Sequence, residues 1–413
     1  MTTLPAGWQW AKMEDVCSKV QDGTHFSPKE QFPTGDYKYI TAKNIKTWGL
    51  DLSDVTYVKE ETHRYLSQRC NPEKGDVLYI KDGVTTGIAT VNPLDEEFSL
   101  LSSVALLKPI RDRIEPHFLA YYLNSPDGYK RMTGQMTGTA IRRIILKKIK
   151  ESVVPVAPLP DQRRIVAEIE KQFTRLEAGV AALRRVQANL HRYRAAVLKA
   201  ACEGRLVETD PGKWKQATIK ELGHVKGGKR LPAGHTYSEE PTNFPYIRVV
   251  DFSNGTVALE NLKYLKAETQ SAISRYTISK HDAYISIAGT IGLVGVIPET
   301  LDGANLTENA AKICNLIGVL PKYLCCYLAS LSGQSQIAGY TLATTQSKLA
   351  LFRIEKIVVP LPPLVEQERI VAEVERRLSV VEELSALVES NLKRASRLRQ
   401  SVLQEAFAGR LVK

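Results

Sequence analysis

Val153-Val154-Pro155-Val156-Ala157-Pro158-Leu159-Pro160-Asp161-Gln162-Arg163-Arg164-Ile165-Val166-Ala167-Glu168 decides how this chain is read. It returns 205 residues later as Val358-Val359-Pro360-Leu361-Pro362-Pro363-Leu364-Val365-Glu366-Gln367-Glu368-Arg369-Ile370-Val371-Ala372-Glu373. The register then holds without insertion to Gly204-Arg205-Leu206-Val207 against Gly409-Arg410-Leu411-Val412, with 23 identities over 55 aligned positions. Such an echo marks a tandem duplication. Duplicated chains tend to fold with pseudo-two-fold symmetry and to bind something equally symmetric.

Outward from the joint, Phe118-Leu119-Ala120-Tyr121-Tyr122-Leu123-Asn124-Ser125 pairs with Tyr323-Leu324-Cys325-Cys326-Tyr327-Leu328-Ala329-Ser330 at the same offset. Nearer the start, Trp8 and Val16 fall opposite Trp214 and Leu222, and Tyr39-Ile40 opposite Tyr246-Ile247. Each half is thus a divergent block followed by a well-matched one. The divergent blocks do different versions of one job, and the matched blocks do a shared one.

The matched blocks read as helices. Val166, Phe173 and Val180 recur at one heptad position, and Ile169, Leu176, Leu183, Leu190 and Val197 at the other. The second copy answers with Val371, Leu378 and Leu392 against Val374, Val381, Val388 and Val402, a seam that Ser385, Ala395 and Arg399 are expected to interrupt. A seam two positions wide in seven leaves the rest of each helix solvated, so the helices gain most by packing antiparallel on each other. The alternative is two amphipathic helices lying on separate domains. Asp161 and Glu366 sit at the helix starts, where a carboxylate favours the positive dipole end, and Gly204 and Gly409 suit left-handed stops.

The divergent blocks read as β-rich. Runs at Tyr37–Ile40, Asp76–Ile80, Ile88–Val91 and Val104–Ile110, with Pro245–Val250, Ala283–Ala288 and Leu293–Ile297 in the second copy, are separated by Gly, Asn and Pro turns. A short helix follows in each (Pro116–Asn124, Pro321–Ser330), then a Gly/Thr/Ser-rich loop, Thr137–Arg143 or Leu342–Lys348. The expected class is α+β: two homologous β-rich globular recognition domains separated by two long antiparallel α-helices in a coiled coil, a pseudo-two-fold internal repeat. The boundaries are 1–152, 153–207, 208–357 and 358–413.

Composition narrows the partners. The 413 residues are 43% hydrophobic, enough for real cores, and Lys plus Arg exceed Asp plus Glu by 56 to 45, for a net charge of +11 and a pI near 9.2. A basic balance favours a polyanion. Between Gly128 and Lys150 there is no acidic residue, yet Lys130, Arg131, Arg142, Arg143, Lys147, Lys148 and Lys150 are present. That stretch suits phosphates, or else it is the solvated face of an amphipathic segment whose Ile141, Ile144, Ile145 and Ile149 are buried; the two readings are compatible. The six cysteines form no C-x-x-C pair, which argues for buried free thiols rather than zinc or disulfides. The start lacks a signal pattern and no apolar run approaches the ~18 residues of a membrane span, so a cytoplasmic protein without a membrane partner is expected.

Catalytic motifs are missing. Gly223-His224-Val225-Lys226-Gly227-Gly228-Lys229-Arg230 approaches a phosphate-binding loop, but Arg230 stands where Ser or Thr would hold magnesium. No amino-methyltransferase or metal-nuclease pattern is found, and His25, His117 and His235 are isolated, so neither a catalytic nor a metal site is assigned. Two rivals remain, a self-contained nuclease or methyltransferase and a coiled-coil scaffold with no DNA role.

The twin joints, with Ala196-Val197-Leu198-Lys199-Ala200-Ala201-Cys202-Glu203-Gly204-Arg205-Leu206 and Ser401-Val402-Leu403-Gln404-Glu405-Ala406-Phe407-Ala408-Gly409-Arg410-Leu411, resemble the specificity subunit of Type I restriction–modification enzymes. The resemblance covers essentially the whole chain. It implies a non-catalytic subunit whose two target-recognition domains each read half of a bipartite asymmetric site in double-stranded DNA, with the helices as a ruler. It also implies two modification (methyltransferase) subunits carrying S-adenosylmethionine, and restriction (translocase and nuclease) subunits carrying ATP and Mg, with no cofactor on this chain. Candidate DNA contacts are Lys43, Asn44, Lys81, Thr139, Arg142 and Arg143 in the first domain, and Lys229, Arg230, Arg248, Asp251, Thr345, Gln346 and Lys348 in the second. Gln346 can pair with adenine, and Asp251 can accept from cytosine or merely orient Arg248.

Overall fold

A computed structural model describes residues 4–25, 27–136, 143–341 and 348–412. The chain resolves into two compact units, Met1–Leu183 with Ser390–Lys413, and Arg184–Glu389. Each unit therefore combines one β-rich block with the beginning of one long helix and the end of the other.

In the first unit the Pro-rich joint is a strand. Val153–Val156 pairs antiparallel with Gln9–Lys12, Trp10 opposite Pro155. Beside it stands a four-stranded antiparallel sheet in the order Cys17–Asp22, Val104–Pro109, Val77–Ile80, Ala89–Val91. A three-stranded sheet places Tyr37–Ile40 between Thr56–Val58, antiparallel, and Phe98–Leu100, parallel. A small hairpin joins Ile45–Lys46 to Gly49–Leu50.

The second unit repeats this order, including the single parallel pair. Lys215–Thr218 pairs with Val358–Leu361, and the four-stranded sheet runs His224–Gly227, Ala310–Cys314, Ala283–Ser286, Val294–Val296. Pro245–Ile247 lies between Lys263–Tyr264 and, in parallel, Asn305–Leu306, and Phe252–Ser253 forms a hairpin with Thr256–Val257. The expected strands and short helices are all present, most of them a residue or two shorter than read. The duplication thus extends through blocks whose sequences have little left in common.

The long helices run Leu159–Cys202 and Leu364–Phe407, 44 residues each, or about 66 Å at 1.5 Å per residue. Both begin earlier than the first heptad residue, and in the first helix Pro160 is tolerated in the opening turn, where its missing N–H has no partner to lose. Both end as expected. Gly204 (φ +65°) and Gly409 (φ +71°) are left-handed, with Arg205 N–H donating to Ala200 O at 2.8 Å and Arg410 N–H to Glu405 O at 3.0 Å, the Schellman arrangement.

Within the first unit the helices are antiparallel neighbours: Ile165, Val166, Ile169 and Phe173 share a core with Leu403 and Ala406, and Arg399 reaches Glu177. Within the second, Val197, Leu198 and Ala201 share a core with Ile370, Val371 and Val374, and Arg194 reaches Glu382 at 3.6 Å. Of the remaining seam residues, Val381 and Val388 are buried, while Leu176, Val180, Leu183, Leu190, Leu378, Leu392 and Val402 are half-buried. The expected interruption of the second seam needs correction. Ala395 is buried and continues the line of Val381 and Val388, and Arg399 lies flat on the Phe173 ring, centroid at 4.1 Å, while Ser385 alone faces solvent. At their ends the buried faces widen beyond the heptad seam, because there each helix also meets a recognition domain. Phe407 packs against Phe118 (5.0 Å), Tyr122 (5.3 Å) and Trp8 (6.5 Å).

Candidate nucleic-acid interface

In both units a β-hairpin and the end of the Gly/Thr/Ser-rich loop are bonded edge to edge. In the first, the turn from Ile80 to Ala89 is shaped by Gly83 (φ +100°) and Gly87 (φ +106°), Thr86 Oγ1 donating to Gly83 O at 2.7 Å. Asp82 bridges to Arg143, and Ile144 N–H donates to Lys81 O at 2.9 Å. In the second, Ala288 bridges to Lys348, and Leu349 N–H donates to Ile287 O at 3.0 Å. Arg143 and Lys348 are exposed and equivalent, each presented beside a hairpin tip. Val84, at the first tip, is fully exposed. Four of the sequence candidates, Thr139, Arg142, Thr345 and Gln346, lie outside the described residues.

Lys81 is nearly buried. Its ammonium pairs with Asp82 at 3.0 Å and lies 3.5 Å from Asp22, which is itself buried and holds Arg69 Nη2 at 2.7 Å. Arg69 also contacts His25 Nε2 at 3.0 Å. Lys81, Arg69 and His25 thus gather around one buried carboxylate, with Arg69 and His25 on the solvent side. Sequence reading missed Arg69 and set His25 aside, since 47 residues separate Arg69 from Asp22 and no local pattern joins them.

Other candidates are used by the fold. Asn44 is buried: its carbonyl accepts from Thr41 N–H at 3.0 Å and its amide donates to Asp51 O at 3.1 Å. Asp251 stands at the equivalent place in the second unit, accepting from Arg248 N–H at 2.8 Å and taking the Arg248 guanidinium in two bonds, 2.7 and 3.0 Å. That pair, with Arg248 Nη2 also on Asn261 O, favours orientation of Arg248 over base contact by Asp251, and the carboxylate bonds raise the Arg248 pKa above its ordinary value. Lys43 is exposed and pairs with Asp54 at 2.8 Å.

Lys229 and Arg230 follow an antiparallel sheet strand, not a turn leading into a helix, so no phosphate-binding loop forms there. Gly228 is required for another reason: a Cβ on it would sit 2.1 Å from Thr307 O, just as one on Gly23 would sit 2.0 Å from Leu100 O. Lys229 Nζ lies over the Tyr276 ring at 5.7 Å, and Arg230 is exposed, 3.8 Å from Glu308. On the basic segment after Arg143, Ile144 and Ile149 are buried and Ile145 is exposed, while Lys147, Lys148 and Lys150 face solvent. The segment is therefore amphipathic as read, with Ile145 moved to the wet side.

Among the described residues no three His, Cys, Asp or Glu side chains converge as a metal site, and no helix is long and apolar enough to cross a membrane. The cysteines are free, five buried and Cys326 half-buried.

Comparison with known proteins agrees with this layout. The Type I restriction modification DNA specificity domain matches residues 5–182 and 211–389. The chain is 24% identical over 436 aligned positions to the Type I restriction enzyme EcoKI specificity subunit of Escherichia coli K12, covering 99% of this chain and 90% of that protein. It is 23% identical over 309 positions to the EcoBI specificity subunit of Escherichia coli, covering 70% of this chain and 65% of that one. Among solved structures, one from a study of complex assembly and conformational transition of the type I R-M system superposes with a TM-score of 0.75 over 99% of this chain and 100% of that chain at 21% identity. The HsdS subunit from Thermoanaerobacter tengcongensis superposes at 0.53 over 99% of this chain and 98% of that one, at 20% identity.

Proposed function

This chain belongs to the Type I restriction modification DNA specificity family, and from that premise we propose that it is the sequence-reading component of a Type I restriction–modification enzyme and performs no chemistry itself. Each unit reads one half of a bipartite asymmetric site in double-stranded DNA, and the long helices set the spacer and dock two modification subunits. S-adenosylmethionine belongs on those subunits, ATP and magnesium on the restriction subunits that join them, and the whole works in the cytoplasm where the DNA is.

The observation that carries this reading is the doubled hairpin and loop, Asp82 against Arg143 and Ala288 against Lys348. Two readers of one topology but different surface chemistry suit two unlike half-sites related by a dyad, because bases are distinguished by side chains reaching into the grooves while the scaffold fixes register. Lys43, Lys81, Arg143, Arg248, Lys229, Arg230 and Lys348, together with Arg69 and His25, are the described residues assigned to contact or electrostatic steering. Asn44 and Asp251 act through the turns they hold.

Methylome sequencing of a host carrying this chain with its modification partner tests the reading. One motif in two unlike halves with a fixed gap is expected; a continuous palindrome would overturn it. Binding of labelled S-adenosylmethionine by the isolated chain would overturn the non-catalytic part alone.

A further inference from the structure

The two units differ at one equivalent place. In the first, a groove of about 450 Å³ lies between the Pro116–Asn124 helix and the start of the first long helix. Its floor is aromatic. Phe173 is buried, Tyr121 stands perpendicular to it at 5.7 Å, and Arg399 lays its guanidinium on the Phe173 face at 4.1 Å while bonding Glu177 at 3.1 Å.

In the second unit the corresponding groove is about 600 Å³ and is lined entirely by residues of that unit. The cation and its carboxylate are repeated: Arg194 and Glu382 sit 205 residues from Arg399 and Glu177. The rings are not. Cys326 occupies the place of Tyr121 and Leu378 that of Phe173. Val371, Val374 and Leu198 complete an apolar wall, and among the described residues no aromatic ring lies under Arg194.

We propose that this groove is a binding site for a planar aromatic molecule of about the size of indole, seated against Val371, Val374 and Leu378 with one face beneath the Arg194 guanidinium. The first unit shows the occupant's chemistry, since it fills the same position with its own phenyl ring under the same cation. A cavity of this size with apolar walls and a few fixed polar groups is in the range that holds small ligands. A guanidinium over a ring is attractive, and Glu382 holds Arg194 beside the groove before any ligand arrives, which lowers the ordering cost of binding. Burial pushes the Cys326 thiol up to about 12, so that wall is neutral and polarizable at physiological pH.

The inference rests on the duplication and on the groove's own lining, and is separable from DNA recognition. Indole titrated into the full chain, followed by melting temperature and calorimetry, is the test. A concentration-dependent rise in melting temperature is expected. Cys326→Tyr with Leu378→Phe rebuilds the first unit's ring pair and should weaken indole binding at least tenfold; Leu378→Phe alone serves if the double variant does not fold. Arg194→Met, which keeps the stem and removes the cation, should also weaken it. No melting shift in the unsubstituted chain, or equal affinity in the ring-filled variant, would overturn the proposal.

Discussion

Gln162 and Gln367 make the same three hydrogen bonds, 205 residues apart. Gln162 accepts from Glu115 N–H at 2.8 Å and donates to Arg113 O at 3.0 Å and Ala157 O at 2.7 Å; Gln367 accepts from Leu320 N–H at 2.8 Å and donates to Gly318 O at 2.9 Å and Pro362 O at 2.8 Å. Both side chains are wholly buried. Each carboxamide ties the root of a long helix to the loop that enters a short one. Replacing either with Leu leaves one buried carbonyl, Ala157 O or Pro362 O, and two part-buried backbone groups without this partner, and a loss of about 2 kcal/mol is expected, since a buried unpaired group costs ~1–3 kcal/mol and a part-buried one can turn to water. Urea denaturation of Gln162→Leu and Gln367→Leu measures it; a change below a few tenths would contradict the clamp.

Glycine substitutions separate the strand at His224–Gly227 from a phosphate loop. Gly228→Ala should cost about 4 kcal/mol or more, because the new methyl would meet Thr307 O and Leu306 O at 2.1 and 2.3 Å, both backbone atoms. Gly227→Ala should be tolerated, as its nearest neighbour is Leu351 Cδ1 at 3.6 Å. Thermal melts of the two variants give the comparison, and equal melting temperatures would refute it.

Charge contacts are legible in salt dependence. If Arg143 and Lys348 each touch one phosphate, Arg143→Ala and Lys348→Ala should each reduce the slope of log K against log salt by roughly 0.9 in the assembled methyltransferase. Arg142, beside Arg143 in sequence, gives a companion variant. A slope that stays put removes the residue from the interface.

Phe407 closes the first unit's core from the far end of the chain. Phe407 is half-buried, so Phe407→Ala should destabilise it by about 2–3 kcal/mol, below the ~3–5 kcal/mol of a phenyl lost from a fully buried site. Its equivalent in the second unit is Cys202, and Cys202→Ala should cost much less. Hydrogen exchange on each unit distinguishes the two losses, and a similar effect in both would be the contrary result.

Alkaline pH should weaken the fold. Burial pushes the Cys17, Cys70 and Cys202 thiols up to about 12 from an ordinary value near 9, and the Tyr39 phenol likewise to about 12. A group whose folded pKa is raised contributes stability that is complete below its unfolded pKa and lost as pH rises through the folded one. Melting temperature should therefore fall from about pH 9 toward pH 12. A flat profile over that window would show that these groups ionise without opening the core.

What the sequence makes legible is local. The joint, the helix stops at Gly204 and Gly409 and the heptad line of valines were readable because proline, glycine and periodic apolar residues act within a turn or two of themselves. Ala395 was read as a gap because a methyl is a weak apolar signal, yet a small residue is what lets two helices stay close. Arg399 was read the same way, and its planar guanidinium instead lies on Phe173. Asn44 and Asp251 drew attention as polar loop residues, whereas they fasten 3₁₀ turns. The grouping of Arg69, His25 and Lys81 around Asp22 depends on tertiary contacts that no spacing announces.

Both long helices belong half to one compact unit and half to the other, Leu183 and Arg184 falling on opposite sides of the division, as do Glu389 and Ser390. Fraying a helix at its root therefore removes a wall from the unit that holds that root, while the far end of the same helix belongs to the other core. A substitution in either helix is thus felt by whichever core its own half helps to wall, not by the repeat that encodes it.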